Sequence, residues 1–357
     1  GNFLPLIFEK YSEKNEVILD VLDIDTNSIK VLKSILDKIK TPSNFKINIY
    51  NADFLLHNFK NRYNLVVGNP PYKKLTKHKE LLARYKSGAI NTETNNLFSF
   101  FIDKSISLGT YVSLIVPKSV LNSPEFNQTR ELFAKYDLEK ICDYGEKGFK
   151  GVKIETVSFL LNTNPKRISD NILIESYIDN SYKNKSKKYI FSNEFPYWLI
   201  YRNDKFDNLV SQMNLDIFQS FRDRQITKSL TKESGKIRVL KARNVGNNEI
   251  KDLENYDKYV DEYSQLAVAK YINESNVVMI PNLTYYPRAS FLPVNTIVDG
   301  SVALLTLKNG SRLPTKKDLE FYSTKEFENY YRVARNHGTR SLNIDNNSVF
   351  FFGLLKK

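Results

Sequence analysis

Strand-like and helix-like patterns alternate over the first 160 residues, and this alternation constrains the fold more than any other feature of the chain. Residues 17–23 form a mostly apolar run that ends in acids, which is typical of a buried parallel strand. The next segment carries apolar residues at helical spacing, beginning with Ile29 and Leu32, and we expect Asn27 or Ser28 to cap that helix. The alternation predicts an α/β fold with a doubly wound, mainly parallel sheet.

The same reasoning predicts the other elements and a domain boundary. We expect helices over residues 3–12, 97–108 and 123–136, and strands over residues 46–50, 65–67, 111–116, 138–143 and 156–161. After about residue 165 the alternation is lost, and the later strands are short and irregular. We therefore predict a catalytic domain over residues 1–165 and a mixed α+β domain over residues 166–357. Residues 181–188 are rich in Lys, Ser and Asn and are expected to form an exposed loop.

Composition narrows the classes of partner and site. The net charge is +13, from 53 Lys and Arg against 40 Asp and Glu, which favours a polyanionic partner. No apolar run is long enough for a membrane helix, so we expect a cytoplasmic protein without a membrane partner. The single cysteine, Cys142, excludes a disulfide framework and is expected to be buried in a strand. The three histidines are scattered, and we expect no metal site.

Polar residues follow the predicted strands at the points where ligands bind in open α/β sheets. Asp23 and Asp25 end one strand, and Asp53 with Phe54 ends the next. A carboxylate at the first position can accept both ribose hydroxyls, and a carboxylate with an aromatic ring at the second can hold an adenine amino group and one ring face. The alternative for Asp23 and Asp25 is a solvated strand end with a helix cap. Of the glycine-rich loop that such a site needs, at most Gly1 is present.

The tetrapeptide Asn69-Pro70-Pro71-Tyr72 follows an apolar strand and carries the chemistry of an amino-group acceptor site. The Asn69 carboxamide oxygen and the Pro70 carbonyl can accept the two hydrogens of an NH₂ group. This localises the lone pair on nitrogen, which becomes a better nucleophile toward a methyl sulfonium. The prolines stiffen the loop, and the Tyr72 ring can stack on a planar base. The alternative is a rigid surface turn.

Together these motifs resemble the amino-methylating DNA methyltransferases that use S-adenosylmethionine, in the motif order called gamma. The resemblance implies a Rossmann-like methyltransferase fold and a C-terminal target-recognition domain. It also implies that Phe149 packs against the flipped target base, although ordinary packing explains Phe149 equally well. By the same resemblance, the cofactor-binding residues are Gly1, Phe3, Asp23, Asp53 and Phe54, and the catalytic residues are Asn69, Pro70, Pro71 and Tyr72.

Basic residues cluster in two stretches that are candidates for phosphate contacts. Residues 222–243 hold eight basic residues and two acids, and residues 73–86 hold six basic residues and one acid. The alternative is a solvated basic surface. The stretch of residues 239–245 resembles the early strand of target-recognition domains in Type I and Type IIS systems. Residues 278–288, and residues 323–331 with 339–342, resemble the two blocks that follow in such domains. The candidate DNA-binding residues are Lys73, Lys74, Lys77, Arg222, Arg224, Lys241, Arg243, Arg288 and Arg340.

The resemblance therefore implies a site-specific adenine-N6 DNA methyltransferase of a restriction–modification system, with Type IIS systems giving the nearest likeness. The implied partners are double-stranded DNA, whose target adenine is flipped out of the stack, and a cognate restriction endonuclease. Three alternatives stay open. They are an RNA or protein-glutamine methyltransferase, a non-catalytic specificity subunit, and one part of a larger restriction polypeptide.

Overall fold

The structure, a computed structural model of the chain, describes residues 3–14, 16–149, 151, 153–282, 284, 286–308, 310–338 and 344–356. Gly1 and the predicted stretch of residues 339–342, which includes Arg340, therefore lie outside the described residues. The chain divides into two compact units, which we call the N-terminal unit, Gly1–Leu114, and the C-terminal unit, Ile115–Lys357. The first is built from parallel strands and helices, and the second holds mixed and antiparallel sheets with further helices. The functional boundary at residue 165 stays a prediction.

The N-terminal unit contains the predicted alternation of strands and helices. Its elements are α1 (Leu4–Tyr11), β1 (Val17–Asp23), α2 (Thr26–Leu36), β2 (Phe45–Asn51), β3 (Tyr63–Gly68), α3 (Lys79–Lys86), α4 (Leu97–Leu108) and β4 (Gly109–Pro117), which runs across the division between the units. β1 pairs in parallel with β2, and β3 pairs in parallel with β4. The predicted bounds of β1 and α4 are confirmed to the residue, whereas α3 was not predicted.

The cap of α2 is not Asn27 or Ser28, and the alternative of a helix cap at the strand end is confirmed for Asp25. Asp25 is the N-cap, since its carboxylate accepts hydrogen bonds from the backbone N–H of Asn27 at 3.0 Å and from the hydroxyl of Ser28 at 2.8 Å. The Ser28 hydrogen bond is the main cause of the lowered pKa of Asp25. Several adjacent residues were chemically able to cap this helix, and the extended backbone at Asp25 (φ −80°, ψ 111°) decided which of them does so.

The first part of the C-terminal unit is a mixed sheet with helices. Its elements are η1 (Lys118–Leu121), η2 (Pro124–Phe126), α5 (Asn127–Ala134), β5 (Asp137–Gly145), β6 (Thr156–Asn162), β7 (Asn171–Ser176), β8 (Ser181–Ser186) and α6 (Lys187–Ile190). β5 pairs antiparallel with β6 and parallel with β7, and β7 pairs antiparallel with β8. The helix predicted over residues 123–136 is shorter, because a 3₁₀ turn precedes it. The buried strand position of Cys142 is confirmed.

The loop predicted over residues 181–188 is wrong, because these residues form β8 and the start of α6. Four of the six side chains of β8 are exposed or nearly so, and Tyr182 is 68% exposed, so the composition is that of a loop while the backbone pairs with β7. Lys185 also bends back and donates to the carbonyls of Ile200 and Arg202 at 3.0 and 2.8 Å. The sheet therefore continues beyond residue 165.

A buried ion pair lies beside this sheet. The ammonium of Lys118 is 2.6 Å from the carboxylate of Asp143 on β5, and the two side chains are 4% and 0% exposed. The hydroxyl of Tyr201 donates to Asp143 at 2.7 Å and lies 2.7 Å from the hydroxyl of Ser176 on β7. These contacts satisfy a charge that would be costly to bury alone.

The remainder of the C-terminal unit is a mixed α+β assembly, as predicted. Its elements are α7 (Asp204–Ser211), β9 (Met213–Asn214), β10 (Phe218–Arg222), β11 (Ile237–Leu240), β12 (Lys258–Val260), η3 (Ala267–Tyr271), β13 (Val278–Pro281), β14 (Ser290–Phe291), β15 (Thr296–Val298), β16 (Val302–Leu307), α8 (Lys316–Tyr322), α9 (Lys325–Ala334), η4 (Ser348–Phe351) and β17 (Leu354–Leu355). One sheet has the order β10-β16-β13-β14, another has β12-β11-β15, and β17 pairs with β9. Among the described residues, no helix is both long and apolar enough to cross a membrane.

Asp318 on α8 connects three parts of this assembly. Its carboxylate accepts two hydrogen bonds from Arg312, at 2.8 and 2.7 Å, and one each from the backbone N–H groups of Thr315 and Leu355, at 2.8 and 3.2 Å. Burial alone would raise the pKa of Asp318, but the hydrogen bonds from Arg312 and Thr315 outweigh it and lower the pKa. A lowered carboxyl pKa stabilises the fold above the ordinary pKa of the unfolded carboxyl, and this contribution is lost as pH falls through the lower folded value.

We expect Asp318→Ala to lower the free energy of unfolding by about 3 kcal/mol at pH 7, because several buried donors lose their acceptor. Urea denaturation measures this, and the difference from the unmodified protein should shrink below about pH 3.9. Glu320→Ala, at an exposed position on the same helix, is the control and should change stability by less than about 0.5 kcal/mol. Equal stability of the Asp318→Ala and unmodified proteins at pH 7 would contradict this role.

Candidate active site

A cavity of about 440 Å³ lies in the N-terminal unit, at the carboxyl ends of its strands. It brings together residues from both predicted motifs, the cofactor set and the catalytic tetrapeptide. The predicted residues that line it are Asp23, Asp53, Phe54, Asn69, Pro70 and Pro71. A volume of this size is typical of small-molecule and cofactor sites.

Parallel strand pairing explains why the two acidic strand ends meet. In the register of β1 and β2, Asp23 lies opposite Asn51, two residues before Asp53. The Asn51 side chain donates to the carbonyls of Asp23 and Ile24 at 3.1 and 3.0 Å, which ties the two strand ends together. The carboxylate of Asp23 itself accepts the backbone N–H of Asp25 at 2.9 Å. Asp25 is thus the helix cap, while Asp23 faces the cavity.

The Asp53 carboxylate is oriented by two donors. Its Oδ1 accepts the backbone N–H of Leu55 at 2.9 Å, and its Oδ2 accepts the hydroxyl of Tyr85 at 2.6 Å. The turn that follows is held by Lys104 on α4, whose ammonium donates to the carbonyls of Leu55 and His57 at 2.8 and 2.7 Å. Burial lowers the pKa of Lys104, while the nearby charge of Asp53 acts in the opposite direction.

Phe54 lies against an aromatic residue that the sequence analysis missed. Its ring stacks on Phe101, with centroids 4.9 Å apart and an interplanar angle of 14°. Leu97, Phe101 and Ser105 all line the cavity and are spaced four residues apart on α4, so one face of that helix forms the wall. The spacing was a signal that could have identified Phe101. Tyr85, also missed, lies on a helix that was not predicted.

The tetrapeptide Asn69-Pro70-Pro71-Tyr72 forms a loop directly after β3. The hydroxyl of Tyr72 donates to the Asn69 carboxamide oxygen at 2.7 Å, and the Tyr72 ring meets Phe98 edge to face, with centroids 6.4 Å apart. Burial raises the pKa of Tyr72 to about 12, so the hydroxyl stays a donor at neutral pH. A carboxamide oxygen has two lone pairs, so Asn69 retains capacity to accept an amino hydrogen. Pro70 is buried, which fixes the loop.

The chain beyond the tetrapeptide is paired with the start of α4. The carbonyl of Lys73 accepts the N–H of Leu97 at 3.0 Å, and the N–H of Leu75 donates to the carbonyl of Asn95 at 2.9 Å. We call this pairing the neck, and the segment that it closes, residues 76–94, the inserted segment. The side chains of Lys73, Lys74 and Lys77 are exposed. The tetrapeptide loop is therefore held by β3 before it and by the neck after it.

Other predicted residues lie outside this cavity. Phe3 is the N-cap of α1 and is 36% exposed, and it is not among the described residues that line the cavity. Phe149 is half-buried, near the turn that follows β5. Its predicted contact with a target base stays a prediction.

The cations predicted to bind DNA occupy different environments in the C-terminal unit. Arg224 is exposed, and Arg222 is exposed while donating to the carbonyl of Gly300 at 2.7 Å. Lys241 and Arg243 both lie over the ring of Tyr256, at 3.8 and 4.8 Å from its centroid.

Arg288 is partly buried and hydrogen-bonded inside the unit. Its guanidinium donates to the carbonyls of Val245 and Ala242 at 2.6 and 2.8 Å and to the hydroxyl of Thr284 at 2.8 Å. These contacts give Arg288 an internal structural role. Its predicted contact with a base stays a prediction.

The region of this chain that matches known proteins contains both motifs. The model of the Eco57I restriction-modification methylase family matches residues 7–149. A Type II methyltransferase of Bacillus subtilis, M.BsuBI, is 27% identical to this chain over 144 residues, which are 38% of this chain and 28% of that protein. The chain thus spans less than a third of the length of this curated relative. The expected resemblance to a restriction–modification methylase is confirmed for this region, whereas the gamma class, adenine specificity and Type IIS membership stay predictions.

Similar solved structures extend over almost the whole chain. The Type IIL restriction-modification enzyme MmeI, solved in complex with DNA, is 10% identical with a TM-score of 0.56, covering 98% of this chain and 65% of that one. The type IIG restriction endonuclease BpuSI is 12% identical with a TM-score of 0.49, covering 99% of this chain and 57% of that one. The likeness to MmeI shows a shared fold.

The contacts of Lys104 predict that substituting this residue loosens the turn after Asp53. Lys104→Met keeps an unbranched apolar chain but removes the donor to two carbonyls, so the free energy of unfolding should fall by about 1–3 kcal/mol. The amides of Leu56 and His57, which donate to the carbonyl of Asp53, should exchange with deuterium faster. Lys30→Met, at an exposed position of α2, is the matched control. Unchanged exchange at residues 56 and 57 would show that Lys104 does not hold this turn.

Proposed function

We propose that this chain carries the catalytic and DNA-reading parts of a site-specific DNA methyltransferase of a restriction–modification system. The observation that carries the proposal is the single cavity that joins Asp23, Asp53 and Phe54 to the Asn69-Pro70-Pro71-Tyr72 loop. One half has the groups that bind a nucleoside, and the other has the groups that orient an amino group. The match of residues 7–149 to the Eco57I methylase family supports the same reaction.

The cavity fits S-adenosylmethionine as cofactor, which supplies an electrophilic methyl group on sulfonium sulfur. Asp23 would accept the ribose hydroxyls at the end of β1, and Asp53 would accept the adenine amino group at the end of β2. The Phe54 ring, held by its stacking on Phe101, offers an apolar surface for the adenine. The fit rests on this donor and acceptor set and on a volume of about 440 Å³.

In the proposed mechanism, the residues of the tetrapeptide act on the acceptor base. The Asn69 carboxamide oxygen and the Pro70 carbonyl accept the two hydrogens of the exocyclic amine, which turns its lone pair toward the methyl group. The Tyr72 ring stacks on the base, and the two prolines keep both acceptors in place without reorganisation. No covalent enzyme intermediate is required, which agrees with the burial that raises the pKa of Cys142.

The acceptor we propose is the N6 atom of adenine in duplex DNA. An amino group inside a duplex cannot reach such a cavity, so the target base must leave the stack, and Phe149 is the proposed contact for the flipped base.

The net charge of +13 and the exposed cations favour a polyanion. Residues 166–357 would form the recognition domain that reads bases. MmeI, which shares the fold, was solved with DNA. A cognate restriction endonuclease, separate or on a longer polypeptide, is the proposed further partner.

Methylation by the purified chain tests the reaction and the acceptor together. With radiolabelled S-adenosylmethionine and duplex DNA, we expect label in N6-methyladenine, found by nucleoside analysis. Asn69→Ala should lower the rate by about 100-fold or more, because one preorganised acceptor is lost. Its affinity for S-adenosylmethionine should stay unchanged.

Asn64→Ala, exposed on the same strand β3, is the matched control and should retain activity. Label in RNA or in peptide glutamine, with none in DNA, would replace the proposed acceptor. Label in N4-methylcytosine would replace adenine. A chain that binds no S-adenosylmethionine would overturn the proposal.

The Lys241–Tyr256–Arg243 arrangement gives a second test of DNA as partner. Lys241→Ala and Arg243→Ala should each weaken duplex binding and lower the slope of log affinity against log salt by about one, as for the loss of one phosphate contact. Fluorescence anisotropy at several salt concentrations measures both quantities. Lys317→Ala, exposed on α8 and outside the predicted contact set, should leave the slope unchanged. The same slope in all three variants would show that these two cations do not contact phosphates.

A further inference from the structure

Tyr85 contributes a side chain to the cavity from outside the motifs that define it. It lines the cavity, and its hydroxyl donates to Oδ2 of Asp53 at 2.6 Å. The other carboxylate oxygen, Oδ1, accepts the N–H of Leu55 at 2.9 Å. Two donors from different segments therefore set the orientation of the Asp53 carboxylate, one from the turn after β2 and one from α3.

The helix that carries Tyr85 has one half-buried face and lies in a segment that is closed at its base. Leu81, Leu82 and Tyr85 form its half-buried face. The last residue of the helix, Lys86, donates to the carbonyl of Thr92 at 2.7 Å. The neck closes the inserted segment at its base, so α3 is not a free surface helix.

A side chain of α4 fixes the return of the inserted segment. The carboxylate of Asp103 accepts the backbone N–H groups of Ile90 and Asn91 at 2.8 and 3.2 Å. Burial raises the pKa of Asp103, while these two hydrogen bonds act in the opposite direction. Helix α4 carries both Asp103 and Phe101, which lines the cavity. The same helix therefore holds the segment that carries Tyr85 and forms the wall of the site.

Tyr85 stays a hydrogen-bond donor at neutral pH. Burial, followed by the hydrogen bond to Asp53, raises the pKa of its hydroxyl well above the ordinary value. A carboxylate oxygen offers more than one acceptor position, so Oδ2 of Asp53 can hold the Tyr85 hydroxyl and a ligand amino group together. In this position Tyr85 lines the cavity and does not fill it.

We propose that Tyr85 is a positioning residue for adenine recognition in this cavity, an inference that rests on the proposed cofactor. Its hydroxyl holds the Asp53 carboxylate so that Oδ2 accepts the exocyclic amino group. Hypoxanthine has a carbonyl oxygen at that position, which would face the carboxylate as a second acceptor. Asp53 therefore selects adenine over hypoxanthine, and Tyr85 preserves that selectivity by fixing the carboxylate.

Calorimetric titration with a pair of ligands tests this role. S-adenosylhomocysteine and S-inosylhomocysteine differ at position 6 of the base, which carries an amino group or a carbonyl, and at the adjacent N1, which carries a hydrogen only in the inosyl compound. The unmodified chain should bind the adenosyl compound about tenfold or more tightly, as for a hydrogen bond to a charged group. Tyr85→Phe removes the hydroxyl and keeps the ring. It should reduce this preference to about threefold or less, mainly by weakening the adenosyl compound.

Tyr63→Phe is the matched control. The Tyr63 hydroxyl also donates to an aspartate, Asp20, at 2.6 Å in the same unit, and Tyr63 is not among the described residues that line the cavity. This variant should retain the full preference. Asp53→Asn should lose it, which calibrates the measurement, and circular dichroism checks that all variants are folded.

The outcomes separate this inference from the proposed function. A full preference in Tyr85→Phe overturns the role of Tyr85 and leaves the cofactor proposal standing. Equal weakening of both ligands shows a merely structural role and also overturns it. If the unmodified chain binds neither ligand, or binds both equally, the proposed cofactor contacts of Asp53 fail, and the role of Tyr85 fails with them. An unfolded Tyr85→Phe variant likewise overturns a role confined to positioning.

Discussion

The Asp53 carboxylate is the point on which the candidate site depends. It ends the parallel strand β2, accepts an N–H from its own turn and an O–H from α3, and the same turn is bound by Lys104 of α4. Because α4 also carries Phe101, the stacking partner of Phe54, the acidic group and the aromatic wall share one helix as their support. A charged group held by several donors keeps one rotamer, and a fixed acceptor is what recognition of an amino group requires.

Methylation of an amino group would depend on a second acceptor that is held in one orientation, the carboxamide oxygen of Asn69. Asn69 follows a parallel strand, precedes two prolines, and has its carboxamide oriented by the Tyr72 hydroxyl. The neck then fixes the chain beyond Tyr72 to the start of α4. Strand β3 on one side and α4 on the other therefore hold the loop, so its acceptors are in position before a substrate arrives. Preorganised dipoles of this kind stabilise a transition state without reorganisation at the moment of reaction.

The C-terminal unit contains two kinds of basic side chain, those bound by internal acceptors and those exposed to solvent. Amino-acid composition does not distinguish the two kinds. Arg312 is bound by Asp318, Arg238 by Asp252 and Asp257, and Arg288 by backbone carbonyls. Such residues organise the fold. Arg224 and Arg243 are exposed, and Arg243 lies over an aromatic ring that holds its guanidinium at the surface. A basic stretch predicted from sequence therefore mixes structural residues with candidates for phosphate contacts, and only the acceptors around each side chain distinguish them.

Hydrophobic periodicity and strand-end chemistry are local, so the amino-acid pattern alone predicted the alternating elements of the N-terminal unit, apart from α3, and the six motif residues of the cavity. It predicted β1 and α4 to the residue, and it located the acidic strand ends whose proximity follows from parallel pairing. Folding of the whole chain settled what the local pattern left open. It made Asp25 the cap of α2 among several candidates, paired the polar stretch after residue 180 as β8, and brought Tyr85 and Phe101 to the cavity. Each of these depends on a partner distant in sequence or on a backbone angle. The same residue type is compatible with several local structures. Which of them it adopts depends on the contacts that form when the chain packs.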